Sequence, residues 1–352
     1  MPNFEVIQVE AVTGRVIATL PVTGITYGDT LNAAGSASVG VPLDGVDPDT
    51  LGPGRSALVV LRDGEPDWGG IVWTMSADLA GNVLTLNASG WHSYYGSRYL
   101  AMTNGYSGKK DQALLLRDWV EWCNDNGGID TDTSRITTTG RIRARKWDFA
   151  EFKNVAQAVE ELADEDGGFD FRYETYWRDS KRTRIGNRFL KEGRATLTFP
   201  TLTHRVDADV TQVAYDGSKM ATDAWTFGAD LGTGVKPYAA IPTGLDGTPT
   251  LAQVTTYSDL KSSGELLPKA GALAAMSRQA IAVPTLTLYP GVYDPAKFQV
   301  GAFGTVNVDS GFVRLLEEFV ITERRVAVDV NGTEVVTLSL ASKEVFENGD
   351  SS

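Results

Sequence analysis

The sequence predicts a β-rich α+β protein with strands at both ends of the chain and helices in its middle third. Short apolar runs broken by turn residues fill the first hundred positions, a pattern typical of a β-barrel or sandwich. The apolar spacing then changes to the helical period, and strands return from Thr285 onward. With 352 residues, 42% of them hydrophobic, the chain has enough apolar material for two or three domains.

Turn signals predict hairpins in the first hundred residues. Thr13-Gly14 separates two short alternating runs, and Gly81-Asn82 precedes another apolar run. Asp63-Gly64 lies between Leu58–Leu61 and Gly70–Trp73, and an Asp-Gly pair suits a turn whose central residues need positive φ. We therefore expect antiparallel neighbours in this region.

Two helices and a strand are predicted in the middle third. Lys110 to Asn126 has apolar residues at helical spacing and ends at Gly127-Gly128. A second helix stops at Gly167-Gly168, and the alternating strand Phe169–Trp177 follows it. The apolar stripes consist of Leu115, Trp119 and Trp122 in the first helix, and of Phe152, Val155, Ala156, Val159, Leu162 and Ala163 in the second.

The last third has one predicted helix and one strong hairpin signal. Between 206 and 257 only short, weak strand signals occur. The second half of Ser258–Ala282 is predicted to be helical, with Pro268 at the first helical position. Further on, an alternating run up to Val330, the Asn331-Gly332 turn and the run Val335–Leu340 predict a hairpin.

Composition and charge exclude several classes of function. The chain has 32 basic and 45 acidic residues and a net charge of −13, whereas proteins that bind nucleic-acid phosphates are basic. One cysteine, Cys123, and two histidines, His92 and His204, cannot supply a disulfide framework or a histidine-rich metal centre. The start of the chain lacks a signal-peptide pattern, and no apolar run reaches the roughly 18 residues of a membrane span. We therefore expect no stable membrane insertion.

Each motif that suggests chemistry also has a purely structural interpretation. Gly52–Ala57 and Gly228–Lys236 are rich in glycine, but the first precedes a strand and the second lacks the Gly-Lys-Ser/Thr core of a phosphate loop. The acidic cluster Asp164–Asp166 is either a hydrolase carboxylate pair or a solvated helix end. Asn124–Asp132 has oxygen ligands suited to calcium without the EF-hand spacing, which favours an Asx-rich turn.

A cysteine–histidine pair and a basic patch are the remaining candidates. Cys123 lies on the stripe of the first predicted helix, where a cysteine is usually a small buried hydrophobe, and His92 or His204 would complete a catalytic pair. The basic patch is either a phosphate-binding surface, with Trp147 and Trp177 nearby for base stacking, or a solvated or salt-bridged strand face. Its members are Arg135, Arg141, Arg143, Arg145, Lys146, Lys181, Arg182, Arg184 and Arg188. We predict that the protein is not an enzyme and has no catalytic, cofactor-binding or metal-binding residues.

Several segments, in their order along the chain, resemble the minor tail proteins of long-tailed actinobacterial phages (siphophages), in particular their tail-tip or baseplate hubs. The segments are TYGDTLNAAGSASVGVPL (Thr26–Leu43), LVVLRDGEPDWGGIVW (Leu58–Trp73), GWHSYYGSRYL (Gly90–Leu100), AVEELADEDGGFDFRYE (Ala158–Glu174) and the stretch Pro290–Leu340. GAFGT (Gly301–Thr305) departs from the family pattern, which has Gly-Asp before this strand.

The resemblance implies two β-barrel-like tube domains with an intervening α/β domain, and no fused lysozyme or fibre after them. The implied divisions are a first tube domain at 1–104, completed by part of 206–230, an α+β domain at 105–205, a connecting β/loop region at 206–257, a helix with the second tube domain at 258–345, and a tail at 346–352.

In function, the resemblance implies a structural hub at the distal tip of the tail, in the virion, after synthesis in the host cytoplasm. A homotrimer would present six similar barrels to the six-fold tail tube, the tape-measure protein would end in its channel, and DNA would pass through it in transit. Its neighbours would be the distal tail protein ring and other minor tail proteins or receptor-binding fibres. An acidic channel wall would repel phosphates and let DNA slide.

Three alternatives remain. A distal tail protein in a hexameric ring fits the same class, although the strong α+β middle third argues against it. A receptor- or glycan-binding module would use some of the eight tryptophans and twelve tyrosines, most of which fall on stripes expected to be core. A cell-wall hydrolase would rest on Asp164–Asp166.

Overall fold

Strands dominate both ends of the chain, which confirms the predicted β-rich class. The computed structural model describes residues 2–101, 106–164, 168–192, 197–230, 232, 235–245, 247–257, 262–278 and 281–342. Within these ranges the helices are α1 (His92–Tyr95), α2 (Gln112–Asp125), α3 (Val155–Asp164) and α4 (Ser263–Met276). None of the helices in these ranges is long and apolar enough to cross a membrane.

The first hundred residues form the predicted hairpins. The strands are β1 (Phe4–Glu10), β2 (Val16–Leu20), β3 (Gly24–Thr30), β4 (Ser36–Pro42), β5 (Ser56–Arg62), β6 (Glu65–Asp78) and β7 (Val83–Gly90). Asp63 and Gly64 both have positive φ, 53° and 81°, as the two-residue turn between β5 and β6 requires. Gly14 and Asn82, with φ of 70° and 53°, make the turns before β2 and β7.

The middle third contains two packed helices and two two-stranded ribbons. Its strands are β8 (Tyr106–Asp111), β9 (Ile142–Trp147), β10 (Asp170–Trp177) and β11 (Ile185–Glu192). Gly127, with φ of 77°, follows the end of α2 as predicted. The stripe of α2 is confirmed: Leu115 and Trp119 are fully buried with Cys123, and Trp122 is half-buried against the same core. One stripe assignment is wrong. Phe152 lies before α3 and is 48% exposed.

The last third differs from the sequence prediction at two points. Its strands are β12 (Leu197–Thr198), β13 (Leu202–Thr203), β14 (Ala208–Asp216), β15 (Asp223–Phe227), β16 (Tyr238–Pro242), β17 (Ala252–Thr256), β18 (Ile281–Leu288), β19 (Ala302–Ser310), β20 (Val313–Val328) and β21 (Glu334–Ser342). Pro268 is inside α4 rather than at its first position, because the first turn already forms where Leu266 N–H bonds to the carbonyl of Ser262. The β20–β21 hairpin is present, but Val330 lies in its loop. The Asp329 carboxylate ends β20 early by accepting the N–H groups of Asn331 and Thr333 (2.8 Å each).

One sheet joins the strands of both ends of the chain. Its order is β14-β18-β21-β20-β3-β4-β7-β6-β5-β1-β2, and β19 pairs with β20, β12 and β13. The 16 residues of β20 are long enough to pair with β19 in the first half and with β3 in the second, from Glu323 opposite Thr30 to Val328 opposite Ile25. The described strand pairs thus form one open path rather than two closed barrels, and the division into two tube domains stays a prediction.

Four separate apolar cores accompany this sheet in the described residues. The antiparallel pair of β3 and β20, which we call the β3–β20 joint, connects the two ends of the chain. The largest core lies beneath this joint and includes residues from both ends, for example Val60 and Leu338. A second, built around Trp119 and Phe171, holds α2 and α3 against the β10–β11 ribbon. A third core includes Ile7 of β1 and Ile185 of β11 and joins the first β region to the same ribbon. The small sheet β16-β15-β17 packs on α4 through a fourth core that includes Leu266.

Candidate functional site

The structure supports the non-catalytic interpretation of the first glycine-rich segment. Gly52–Ala57 makes a turn, with Gly54 at φ 75°, and leads into β5 instead of opening a helix. The Ser56 hydroxyl accepts the N–H of Gly52 (3.1 Å) and stabilises this turn. A dinucleotide-binding loop would need a helix N-terminus at this place.

Two other candidates fall partly outside the described residues. Of Gly228–Lys236, positions 231, 233 and 234 are not described. Of the acidic cluster Asp164–Asp166, only Asp164, the last residue of α3, is described. The described residues therefore do not test the hydrolase alternative.

Two of the three carboxylates of Asn124–Asp132 pair with arginines. Asp130 pairs with Arg178, and Asp132 pairs with Arg188 (2.6 Å). The Asn124 side chain closes the loop. Its amide oxygen accepts the N–H of Thr131 (3.0 Å), and its amide nitrogen donates to the Thr131 carbonyl (2.9 Å). This arrangement is that of a cross-linked Asx-rich turn, which favours the structural interpretation.

The two histidines bond to groups other than Cys123. The ring nitrogens of His92 contact the Tyr173 hydroxyl (3.2 Å) and the Glu160 carboxylate (3.1 Å). His204 Nδ1 accepts a backbone N–H of β14 (3.0 Å). Burial raises the pKa of the Cys123 thiol, so the thiolate needed for nucleophilic chemistry is disfavoured.

The second run of the basic patch is salt-bridged within the chain. Arg188 contacts Asp132 (2.6 Å) and Glu174 (2.9 Å), while Arg182 pairs with Glu65 and lies over the ring of Trp177. Acidic partners thus neutralise two of its four members, Arg182 and Arg188, which favours the salt-bridged interpretation of this run. The other run of the patch extends from Arg135 to Lys146. Arg141 precedes β9, whereas Arg143, Arg145 and Lys146 lie on that strand.

A surface that the sequence motifs did not reveal covers one side of the central sheet. Alternate residues of β3, β4 and β7, such as Tyr27, Val39 and Leu86, face the core, so the residues between them face outward. More than half of these outward residues are serine, threonine or asparagine, and we use the name hydroxyl face for the polar residues of this surface and of the adjoining strands β6, β20 and β21. It comprises Thr26, Ser36, Ser38, Thr74, Ser76, Thr85, Asn87, Ser89, Glu323, Arg325, Thr337 and Ser339, each exposed or half-buried.

Strand register makes the hydroxyl face continuous across the sheet. Thr74 lies opposite Asn87, Asn87 opposite Ser38, and Ser38 opposite Thr26. A parallel row crosses the β3–β20 joint, where Arg325 lies opposite Gly28. Shallow grooves of about 380 and 400 Å³ run over this surface. The face therefore spans strands from both ends of the chain.

Glycines allow the backbones beneath the hydroxyl face to approach closely. A Cβ atom on Gly28 would lie 2.3 Å from the carbonyl oxygen of Arg324, and one on Gly35 would lie 2.0 Å from the carbonyl oxygen of Gly28. Both distances are shorter than any side chain tolerates, so only glycine fits at these two positions.

A buried ionic cluster on the core side fastens the same joint. The Arg324 side chain, 4% exposed, bonds to Asp29 (2.5 Å), to Asp67 (3.2 Å) and to the Tyr293 hydroxyl (2.6 Å). The Tyr27 hydroxyl donates to Asp67 (2.6 Å). Burial raises the pKa of Asp29, while the guanidinium of Arg324 opposes that rise. The cluster links β20 to β3, to β6 and to the loop before β19.

The middle third is fixed to the first β region at both ends of the β10–β11 ribbon. At one end, Phe171 N–H donates to the Asn32 side chain (2.7 Å), and Asn32 N–H donates to the Phe171 carbonyl (3.1 Å). At the other end, the Trp177 indole donates to the carbonyl of Gly64 (3.1 Å). The ribbon thus holds the helices of the middle third in a defined position.

The fold matches solved structures of phage tail proteins. The tail protein from Neisseria meningitidis MC58 aligns at a TM-score of 0.62 and 15% identity over 99% of both chains. The 43 kDa tail protein of prophage MuSo2 from Shewanella oneidensis aligns at 0.62 and 12%, covering 97% of this chain and 99% of that one. The prophage tail protein gp18 from Listeria monocytogenes EGD-e aligns at 0.58 and 11%, covering 99% and 98%.

Sequence comparison alone finds less. No protein-family model matches the chain. No curated protein matches it either. At identities of 11–15% the structural likeness establishes fold and not activity. Over nearly its whole length, the chain has the fold of these three phage tail proteins.

Proposed function

We propose that the protein is a structural, non-enzymatic hub of a long-tailed phage, located at the distal tip of the tail in the virion. The observation that carries this proposal is the agreement in fold with three phage tail proteins over at least 97% of the chain. The joint between the two ends of the chain supports it, because a tail component must stay rigid while its neighbours assemble on it.

In this proposal three copies form a ring around the tail axis. The central sheet of the described residues ends in the edge strands β2 and β14, whose backbone groups are available for contacts between copies. Each copy contributes two tube domains, so that six similar units meet the six-fold tail tube. The ring contacts the distal tail protein on one side and other minor tail proteins or fibres on the other, and its channel holds the tape-measure protein.

Native mass spectrometry of the purified chain over a range of concentrations tests the ring. Three copies of 37.9 kDa give a species of about 114 kDa, which the proposal predicts. A six-copy species would instead identify the distal tail protein of the alternative hypothesis. A chain that stays monomeric even when mixed with its tail neighbours would contradict the proposal.

A receptor- or glycan-binding module remains the second candidate because of one aromatic group. Trp225, Phe227 and Tyr238 lie on neighbouring strands of the small sheet, with ring centroids 5.9–6.4 Å apart, and Tyr238 is 51% exposed. Rings presented in this way can stack on sugars. Glycan-array binding that is lost in Trp225→Ala and kept in Trp73→Phe would support this function.

A further inference from the structure

The β8–β9 pair is basic, although the chain as a whole is acidic. Residues 106–111 and 141–147, which we call the basic ribbon, contain six lysines or arginines and one aspartate, whereas the whole chain has a net charge of −13. We propose that the outward side of the basic ribbon docks on an acidic surface of the next copy in the ring. This inference rests on the proposed ring and adds which two surfaces meet in it.

One side of the basic ribbon is turned away from the helices of the middle third. The ring centroids of Trp147 and of Trp119 in α2 are 5.2 Å apart, so the side of β9 that carries Trp147 faces the second core. Side chains alternate along a strand, and Ile142 and Lys146 therefore project from the opposite side, where both are exposed. Strand register places the exposed Lys109 of β8 on this outward side as well.

Three exposed cations of the basic ribbon, Lys109, Arg141 and Lys146, form no ion pair with any described residue. By contrast, Lys110 on the inner side pairs with Asp118 of α2. Lys109 and Lys146 are diagonal neighbours across the two strands, about 7–8 Å apart, so their like charges repel each other. An acidic partner would remove this repulsion.

The first β region carries an acidic surface in the loop between β4 and β5 and at the end of β6. Four exposed carboxylates belong to it: Asp44, Asp47, Asp49 and Asp78. The two segments are adjacent, because Leu43 N–H donates to the carbonyl of Asn82 in the turn after β6 (3.3 Å). Arg55, which bonds to the carbonyl of Asp49 (2.5 Å), adds one positive charge, so the acidic surface has a net charge of −3. The three cations without partners on the basic ribbon match this charge in number and oppose it in sign.

Each of the two surfaces also has one exposed aliphatic side chain. Ile142 of the basic ribbon is 60% exposed, and Leu79, next to Asp78, is 83% exposed. Contacts between proteins bury such side chains together with the charges around them. A phosphate polymer would pair with the lysines but leave Ile142 in water. The surfaces therefore fit a second copy of this chain better than a phosphate polymer.

The two surfaces differ from each other and lie on different parts of the chain. The basic ribbon belongs to the middle third and the acidic surface to the first β region, and the β10–β11 ribbon fixes these two regions to each other. Contacts between unlike surfaces run head to tail, and they close into a ring when the rotation between copies allows it. In the ring of three, each copy gives its basic ribbon to one neighbour and its acidic surface to the other.

Charge reversal, followed by exchange of the charges, tests this contact. We compare Lys109→Glu/Lys146→Glu and Asp44→Lys/Asp49→Lys with a variant that carries all four changes. Native mass spectrometry over a range of concentrations, with the chain alone or mixed with its tail neighbours, measures how readily each protein forms the ring. Each double variant should need an about tenfold higher concentration than the wild type, and the fourfold variant should return to the wild-type value. A fourfold variant that folds but assembles no better than the double variants would overturn the inference.

The matched control Lys219→Glu/Lys236→Glu makes the same change in net charge at two exposed lysines of the last third and should assemble as the wild type does. An equal loss of assembly in this control would assign the effect to net charge and overturn the inference. If labelled polyphosphate binds the wild type but not Lys109→Glu/Lys146→Glu, and both form the ring equally, the basic ribbon is a phosphate-binding surface instead. A wild type that forms no ring under any of these conditions would contradict the proposed hub itself, which separates the two failures.

Disulfide formation between copies locates the contact directly. Lys146→Cys and Asp49→Cys chains are mixed and oxidised by air, and Cys123 stays unreactive because it is fully buried. We expect covalent dimers in this mixture and few of them when Lys219→Cys replaces Lys146→Cys. Equal yields from the two mixtures would place the contact elsewhere and overturn the inference.

Discussion

Arg62 and Glu334, 272 positions apart in the sequence, form a bidentate ion pair, with Nε and Nη2 of the arginine 3.2 and 3.1 Å from the two carboxylate oxygens. The pair links β5 to β21, and the guanidinium also lies over the ring of Tyr293. Together with the Arg324 cluster it fastens the two β regions from the core side. The two ends of the chain therefore behave as one body, which is what a ring subunit needs.

Removal of the buried Arg324 guanidinium should strongly destabilise the β3–β20 joint. In Arg324→Met the carboxylates of Asp29 and Asp67 lose their partner in a buried site, and we expect a loss of about 3–5 kcal/mol in the free energy of unfolding. Arg325→Met, the next residue on the opposite side of β20, should change it by less than about 0.5 kcal/mol. Urea unfolding of both variants measures the difference, and equal losses would show that the cluster does not hold the joint.

The close approach of the Gly28 backbone to β20 can be tested by comparing two glycines of the same strand, β3. In Gly28→Ala the new methyl group meets the carbonyl oxygen of Arg324 at 2.3 Å, so the strands must separate at a cost of about 1–3 kcal/mol. In Gly24→Ala the nearest atom is 4.0 Å away, and stability should be nearly unchanged. Thermal unfolding of the two variants decides the point. A stable Gly28→Ala protein would mean that β3 and β20 are not in contact.

Asn32 tests the attachment of the middle third. Its side chain accepts from Phe171 N–H and donates to the Asp170 carboxylate (2.9 Å). Asn32→Asp keeps the shape and the positive φ but places a second carboxylate beside Asp170, and we expect a loss of about 2 kcal/mol at pH 7. Asn3→Asp makes the same change beside Glu5 at an exposed site and serves as the control. Hydrogen exchange at β10 should rise only in Asn32→Asp, and an equal rise in both would refute the attachment.

Acid should loosen the cross-linked loop of the middle third. Burial would raise the pKa of Asp132, but hydrogen bonds from Ser134 and Arg188 outweigh it and lower the pKa to about 2. The folded pKa is thus below that of the unfolded chain. The ion pair therefore stabilises the fold above about pH 4, and this contribution is lost as the pH falls towards 2.

Measured stability should follow that titration. We expect the wild type to lose roughly 1–2 kcal/mol more than Asp132→Asn between pH 5 and pH 2, since solvent at the partly exposed side chains weakens the pair. Urea unfolding at several pH values measures both proteins. Parallel curves would show that Asp132 has an ordinary pKa.

Local signals in the sequence predicted the turns and helices well. Asp63-Gly64 specifies its turn by backbone sterics alone, and the glycine after α2 ends that helix for the same reason. The predictions that were wrong concern segments where a contact in the folded chain overrides the usual preference of a residue type. The loop at Asn331-Gly332 is longer than a two-residue turn because Asp329 binds two of its N–H groups, and Pro268 entered a helix that had begun upstream.

The candidate site was beyond a single sequence because it depends on which strands are neighbours. Nothing local indicates that β3 pairs with β20, almost three hundred positions away, so Arg324 could not be matched to Asp29 and Asp67. A signal for the hydroxyl face did exist. In β7, Thr85, Asn87 and Ser89 alternate with apolar residues and carry no charge, whereas an exposed sheet surface usually has many charged side chains.

The number and position of copies in the tail test the central claim most directly. A cryo-EM reconstruction of the tail tip, from the phage that encodes this chain, should show three copies around the axis. Six copies would identify the distal tail protein instead. Absence of the chain from the tail, or a position away from the axis, would contradict the proposed hub.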